Sequence, residues 1–221
     1  MDNIPTETSF FRDFQVFEAL RQSIFPELLR RHRLDRTLNL WCAACSSGQE
    51  AYSLAILLRD YFPLLANEWN LTILASDVSE AMLAKARSGT YTDLEVRRRL
   101  PPKFLRRYFQ KQGSQWSVSD DIRLMVQFRQ IDLLKPLPSL PEMDVILLRN
   151  VLIYFDRAIQ AEILDKMHRV LAPDGYLLLG ATETPLRCDT VFKPVSVDRT
   201  VLFQLRPPDD ADGGRSRHTG N

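Results

Sequence analysis

The 221 residues are 45% hydrophobic and 26% charged, with a formal net charge of +1. That balance describes a globular chain long enough for one full core, and it gives no global case for a nucleic-acid partner. No run approaches the ~20 apolar residues of a membrane span. Met1-Asp2-Asn3-Ile4-Pro5 lacks the regions of a secretory signal, and three cysteines make no disulfide framework, so a cytoplasmic setting is expected.

Residues 13–32 read as an amphipathic helix with Phe14, Phe17 and Leu20 on one face, and Pro26 as the start of a second helical piece. A strand follows at about 37–43, ending in Ser46-Ser47-Gly48. Ala51, Leu54, Leu57, Leu58 and Tyr61 then mark a helix over about 49–62. This strand-turn-helix is the first unit of a doubly wound sheet, in which ligands bind at the carboxyl ends of the strands. Gly48 lets a ligand approach the backbone. A single glycine is a weaker signal than the three of a dinucleotide fingerprint.

Leu71–Ser76 is a second strand, ending at Asp77, and Ser79 caps the next helix, to about Arg87. Two short helices broken at Pro101-Pro102 fill 93–111, and Arg97 to Lys111 holds seven Lys/Arg and no Asp/Glu. Short strands at 116–118 and 124–128 form a small β insertion over about 112–126, or else the second of them begins a main-sheet strand. Asp144–Leu148 is a buried strand ending at Arg149-Asn150. Ile159, Ile163, Met167 and Val170 mark the following helix, Pro173-Asp174-Gly175 turns into a strand at 176–180, and strands near 190–196 and 199–205 close as a hairpin. The pattern predicts one α/β domain over 1–206, a doubly wound, mostly parallel, Rossmann-like sheet with an antiparallel closing hairpin. Residues 207–221 read as a disordered tail.

Several residues carry candidate chemistry. Asp77 at a strand end can accept from ribose hydroxyls, or it can cap the helix that follows. Ser47-Gly48-Gln49-Glu50 fits a capping box, and Glu50 can equally hold a cationic ligand. Cys42 and Cys45 lack the further ligands that zinc needs, so no metal is expected, and they read as small core residues. Arg149, Asn150 and Tyr154 leave the end of a central strand and face the ligand crevice, although Tyr154 also suits a partly buried structural role.

Taken together, Thr8-to-Asp13, Cys45-to-Ser53, Ala75-to-Val78, Ala86-to-Tyr91, Arg149-to-Asp156 and Gly175-to-Gly180 with Glu183 resemble the motifs of the CheR family of chemotaxis receptor methyltransferases, in order, over about residues 6–205. The resemblance implies an S-adenosyl-L-methionine-dependent glutamate O-methyltransferase. Its substrates would be the cytoplasmic methylation helices of methyl-accepting chemotaxis proteins. Thr8, Arg12, Glu50, Asp77, Asp132, Leu133, Arg149 and Asn150 would surround the cofactor, with Arg12 and Tyr154 nearest the transferred methyl. Thr6, Gln49 and Asp132 stand where the family usually or often has Asn, Glu and Asn. The motif begins within the first dozen residues, so the family's helical N-terminal domain is expected to be absent. The short stretch between Gln110 and Asp120 argues against a tether to a receptor pentapeptide. The basic run 97–111 either supplies part of the receptor docking or is a solvated helix face, the commoner case for such a run. Amino-methylating DNA enzymes are disfavoured, because Arg149-Asn150-Val151-Leu152 replaces their Pro-Pro motif. A non-catalytic module that binds the cofactor and a protein partner is the alternative.

Overall fold

The structure, a computed structural model, describes residues 8–183 and 191–206, with the backbone alone for 66 and 67. In chain order the elements are α1 (Phe14–Ala19), a π-helical turn (Leu20–Ile24), α2 (Phe25–Arg31), β1 (Thr37–Ala43), α3 (Gln49–Tyr61), α4 (Leu65–Glu68), β2 (Asn70–Asp77), α5 (Glu80–Ser88), β3 (Thr90–Thr92), α6 (Asp93–Arg97), α7 (Pro102–Tyr108), β4 (Phe109–Gln112), β5 (Gln115–Val118), α8 (Asp120–Arg123), β6 (Val126–Gln130), β7 (Met143–Leu148), a 3-10 turn (Leu152–Tyr154), α9 (Arg157–Val170), β8 (Leu171–Leu179), β9 (Phe192–Val197) and β10 (Thr200–Leu205). No helix among the described residues is long and apolar enough to cross a membrane.

Seven strands form one sheet in the order β6-β2-β1-β7-β8-β10-β9. β10 runs antiparallel to both its neighbours, and the pairs from β6 to β8 are parallel. From β1 the chain winds outward through β2 to β6, then returns to β7 and winds the other way. The order therefore reverses between β1 and β7, where open α/β sheets form their ligand crevice. β1 shows why the sheet is buried on both sides. Leu38, Leu40 and Cys42 join a core with α1, α2 and α3, whereas Trp41 and Ala43 join a second core with α9, as the two-residue strand period requires. The buried Trp41 indole donates to Ser76 Oγ of β2 at 2.9 Å.

Four readings change. The residue 14–31 helix is continuous through a π turn, because Pro26 has no N–H for the carbonyl four residues back. Phe14 is 50% exposed, while Phe17 and Leu20 are buried. The small sheet, β3-β5-β4, draws on residues 90–92, 109–112 and 115–118 rather than on 112–126. Of the two readings of 124–128, the main-sheet one holds: β6 lies parallel to β2, with Ala75 opposite Phe128. β8 already begins at Leu171, opposite Met143, and Pro173-Asp174-Gly175 forms an irregularity within it. Residues 207–221 lie outside the described residues.

At the amino ends of the strands, away from the crevice, His32 ties α2 to the sheet. Its Nε2 lies 3.3 Å from Asp144 and 3.8 Å from Asp174, and its Nδ1 lies 3.4 Å from Asp35.

Candidate functional site

Register builds the site. Ala43 pairs with Ser76, and Cys42 pairs with Leu147. One step beyond the first pair and two beyond the second, Ala44, Asp77 and Arg149 come to one level at the carboxyl ends of β1, β2 and β7.

The turn after β1 is tightly drawn. Ala44 and Ser46 have φ of 59° and 49° and Gly48 has 88°, all left-handed. Asp77 holds this turn through both oxygens: Oδ2 accepts from Ser46 N at 2.8 Å and Oδ1 from Ser79 N at 2.9 Å. Ser79 caps α5 as expected, accepting from Met82 N. A Cβ on Gly48 would lie 2.9 Å from Ala86 Cβ and 3.4 Å from the Phe128 ring. The glycine therefore answers to positive φ and to the close approach of α5. Its own N–H donates to Cys45 O at 3.0 Å.

The capping-box reading of Glu50 is corrected. Gly48 is the N-cap of α3 and makes no side-chain cap bond, and Ser47 Oγ donates to Gln49 Oε1 instead. Glu50 turns to Arg149, whose Nη1 donates to its Oε2 at 2.6 Å. Arg149 has a side chain 1% exposed and also pairs with Asp13 and donates to Arg12 O at 3.1 Å. Burial pushes the Glu50 carboxyl above its ordinary range, while the Arg149 guanidinium, and Arg12 more weakly, pull it back. Arg149 Nε is a buried donor with no hydrogen-bond partner among the described residues.

Two phenylalanines bring Arg12 here. Phe10 meets Tyr91 and Phe109 edge-on at 5.0 and 5.3 Å, and Phe11 stacks on Phe104 at 5.2 Å. Phe11 N donates to Ser53 Oγ of α3 at 2.9 Å. Phe11 and Asp13 are left-handed at φ 48° and 55°, so the chain bends sharply on either side of the half-buried Arg12. Thr8 opens the described segment and is half-buried. Asn150, at φ 59°, donates its N–H to Glu183 Oε2 at 2.7 Å. Residues at positive φ thus gather around the strand ends, as functional sites often show.

Asp132 and Leu133 follow β6. Asp132 Oδ1 accepts from Leu134 N at 2.9 Å, and Leu133 is buried with its carbonyl accepting from Lys166 Nζ at 2.6 Å. Tyr154 is 38% exposed, in the 3-10 turn beyond Asn150. The structure therefore brings Arg12, Glu50 and Arg149 into one cluster, sets Asp77 and Asn150 beside it in register, and leaves Asp132 and Leu133 one strand further out. Sequence reasoning assigned no role to Asp13 or Glu183. Both stand inside recognised motifs, and an acid directly after Arg12 was the available signal for the first. Cys42 and Cys45 are free and buried, and burial raises both thiols.

Residues 6–201 match the family described as CheR methyltransferase, SAM binding domain. The chain is 42% identical over 203 residues to Chemotaxis protein methyltransferase 1 of Pseudomonas aeruginosa, covering 90% of this chain and 74% of that protein. It is 36% identical to Chemotaxis protein methyltransferase Cher2 of Pseudomonas putida over the same shares, and 34% identical to Chemotaxis protein methyltransferase 1 of Vibrio cholerae, covering 90% and 72%. Among solved structures it is similar to a TehB-like SAM-dependent methyltransferase from Corynebacterium glutamicum, with 13% identity, 88% and 96% of the two chains covered, and a TM-score of 0.47. The chain belongs to the CheR methyltransferase family, and residues 6–201 are its S-adenosylmethionine-binding domain.

Proposed function

We propose that this chain transfers the methyl group of S-adenosylmethionine to glutamate side chains on the cytoplasmic methylation helices of chemotaxis receptors, forming glutamyl methyl esters in the cytoplasm. The observation that carries the reading is the convergence of Arg12, Glu50, Asp77 and Arg149-Asn150, from four separate segments, at the β1–β7 reversal of a CheR-family domain.

The donor set fits a cationic adenosyl ligand. Glu50 answers an ammonium group, and the partnerless Arg149 Nε answers a carboxylate. Asp77 already accepts two backbone N–H groups, but a carboxylate has about four acceptor positions, so ribose hydroxyls can share it. Asp132 would accept from the adenine amino group with Leu133 beside it past β6, and Asn150 would line the crevice on the β7 side, with Thr8 at the amino-terminal segment. Gly48 serves this set by shaping the turn.

When bound, the cofactor supplies an electrophilic methyl on a sulfonium. The acceptor carboxylate is already ionised near neutral pH, so the chain need not supply a general base. Its residues act by alignment and by excluding water. Arg12 holds the acceptor carboxylate through its guanidinium fork, and Tyr154 lines the approach. The β4–β5 hairpin turns through two residues, Gly113-Ser114, which supports a docking mode without a pentapeptide tether. Incubation with methyl-labelled S-adenosylmethionine and receptor cytoplasmic fragments should give base-labile label on glutamate. Tight cofactor binding with no label on any fragment would instead mark a non-catalytic module.

A further inference from the structure

The loop from Arg149 to Tyr154 lies along the end of β8. β7 and β8 pair to their last residues, with Leu148 opposite Leu179. Glu183, just past that end and only 8% exposed, turns its carboxylate onto the loop. Oε2 accepts from Gly180 N at 2.6 Å and Asn150 N at 2.7 Å, and Oε1 accepts from Leu152 N at 2.8 Å and Ile153 N at 3.4 Å. Glu183 N in turn donates to Gly180 O at 2.9 Å, closing a tight turn.

A second observation concerns Gly180. A Cβ there would lie 2.7 Å from both Asn150 Nδ2 and Glu183 Oε2, and 3.0 Å from Asn150 N. The glycine is required so that the carboxylate and the loop can meet. The loop offers a run of N–H groups that no neighbouring strand pairs, and a buried, unpaired N–H is costly. One carboxylate satisfies three of them at once. It fixes the left-handed Asn150 and the 3-10 turn that carries Tyr154.

We infer that Glu183 is a positioning residue for methyl transfer: it locks the Arg149–Tyr154 loop in the shape that sets Asn150 toward the cofactor and Tyr154 toward the acceptor. This rests on the reading of Asn150 and Tyr154 given above. Glu183 itself touches no reacting atom.

The test compares Glu183→Gln, Glu183→Asp and the unchanged full chain. Glutamine matches the size but accepts through one oxygen only. Whichever way its amide turns, two backbone N–H groups face an NH2. Aspartate keeps both acceptor oxygens on a stem one carbon shorter. Glu183→Gln should lower kcat for receptor methylation about ten- to a hundredfold, the scale of a small misplacement of reacting groups, and weaken S-adenosylmethionine binding by calorimetry. Glu183→Asp should recover part of both. Amide hydrogen exchange should rise at Asn150, Leu152 and Ile153 while the β1 and β7 amides stay protected, which separates loop release from global unfolding. Glu183→Gln turnover and cofactor affinity within twofold of the unchanged chain would overturn the proposal, as would exchange rising equally throughout the sheet. If the unchanged chain transfers no methyl to receptor fragments, the functional reading fails. The positioning role is then decided by cofactor affinity and amide exchange alone.

Discussion

Glu50 carries a charge that its surroundings do not favour. Its carboxyl is raised by burial in spite of the Arg149 contact, so the folded chain holds that proton more tightly than the unfolded chain does. Folding therefore loses stability as pH rises above the unfolded value and Glu50 ionises. If the ionised form receives a cationic ligand, S-adenosylmethionine affinity should fall on acidification, at a higher pH than an ordinary carboxylate would dictate. Glu50→Gln should bind more weakly at neutral pH and lose this dependence. Calorimetry across pH decides it, and an unchanged profile in the variant would remove Glu50 from the site. Asp77→Ala should weaken binding of the cofactor and of its demethylated product by about 1.5–3 kcal/mol, the scale of a hydrogen bond to a charged group. It should also lower Tm, because Ser46 N and Ser79 N lose their acceptor. Cys42 and Cys45, with thiols raised by burial, should resist aromatic disulfide reagents near pH 8 until denaturant is added. Rapid native labelling of both would contradict their burial. At this scale the sequence named the residue types and missed their partners. Ser47-to-Glu50 has the spacing of a capping box, and only the fold, bringing Arg149 across from a strand 99 positions away, turns Glu50 inward.

Elements were legible where burial is two-sided. β1, β2 and β7 carry apolar runs because helices cover both faces of the sheet; β2 ends in Asp77, and Arg149 directly follows β7. β3 and β4 were not, since Thr90–Thr92 and Phe109–Gln112 are short and largely polar. They are strands only because β5 lies between them. The same limit applies to β6: its five residues fit either a local hairpin or the main sheet, and the choice belongs to β2, its partner. Gly48 shows how element packing constrains the site. Gly48→Ala places a Cβ at φ 88°, 2.9 Å from Ala86 of α5. The variant should lose about 2–4 kcal/mol from backbone strain and overpacking together. Urea denaturation with an unchanged midpoint would show that α5 yields without cost.

Over the whole molecule, the reversal of strand order sets where ligands meet the chain, and the surface charge sets what else comes near. The family resemblance drew on six short motifs, of which Cys45-to-Ser53, Ala75-to-Val78 and Arg149-to-Asp156 lie at the carboxyl ends of β1, β2 and β7. The basic run required the fold. Lys103 and Arg107 lie 3.5 and 2.7 Å from Asp60, Arg97 lies 2.6 Å from Asp93, and Lys111 stands over the Trp116 ring. Much of this charge is thus spent within the chain, and reversing Arg107 would set an acid against Asp60 and confuse folding with docking. Arg99 and Arg106 are exposed. Their exposure makes them the cleaner probes of receptor encounter. Exposed charges at a docking rim act mainly on association and are screened over about 8–10 Å at physiological salt. The double variant Arg99→Glu, Arg106→Glu should therefore raise KM for receptor fragments at low salt, with kcat and cofactor affinity unchanged. The difference from the unchanged chain should shrink as salt rises. Equal KM values for the two proteins at low and high salt alike would assign the run to solvation of α7 and its approach, and would place receptor recognition elsewhere on the surface.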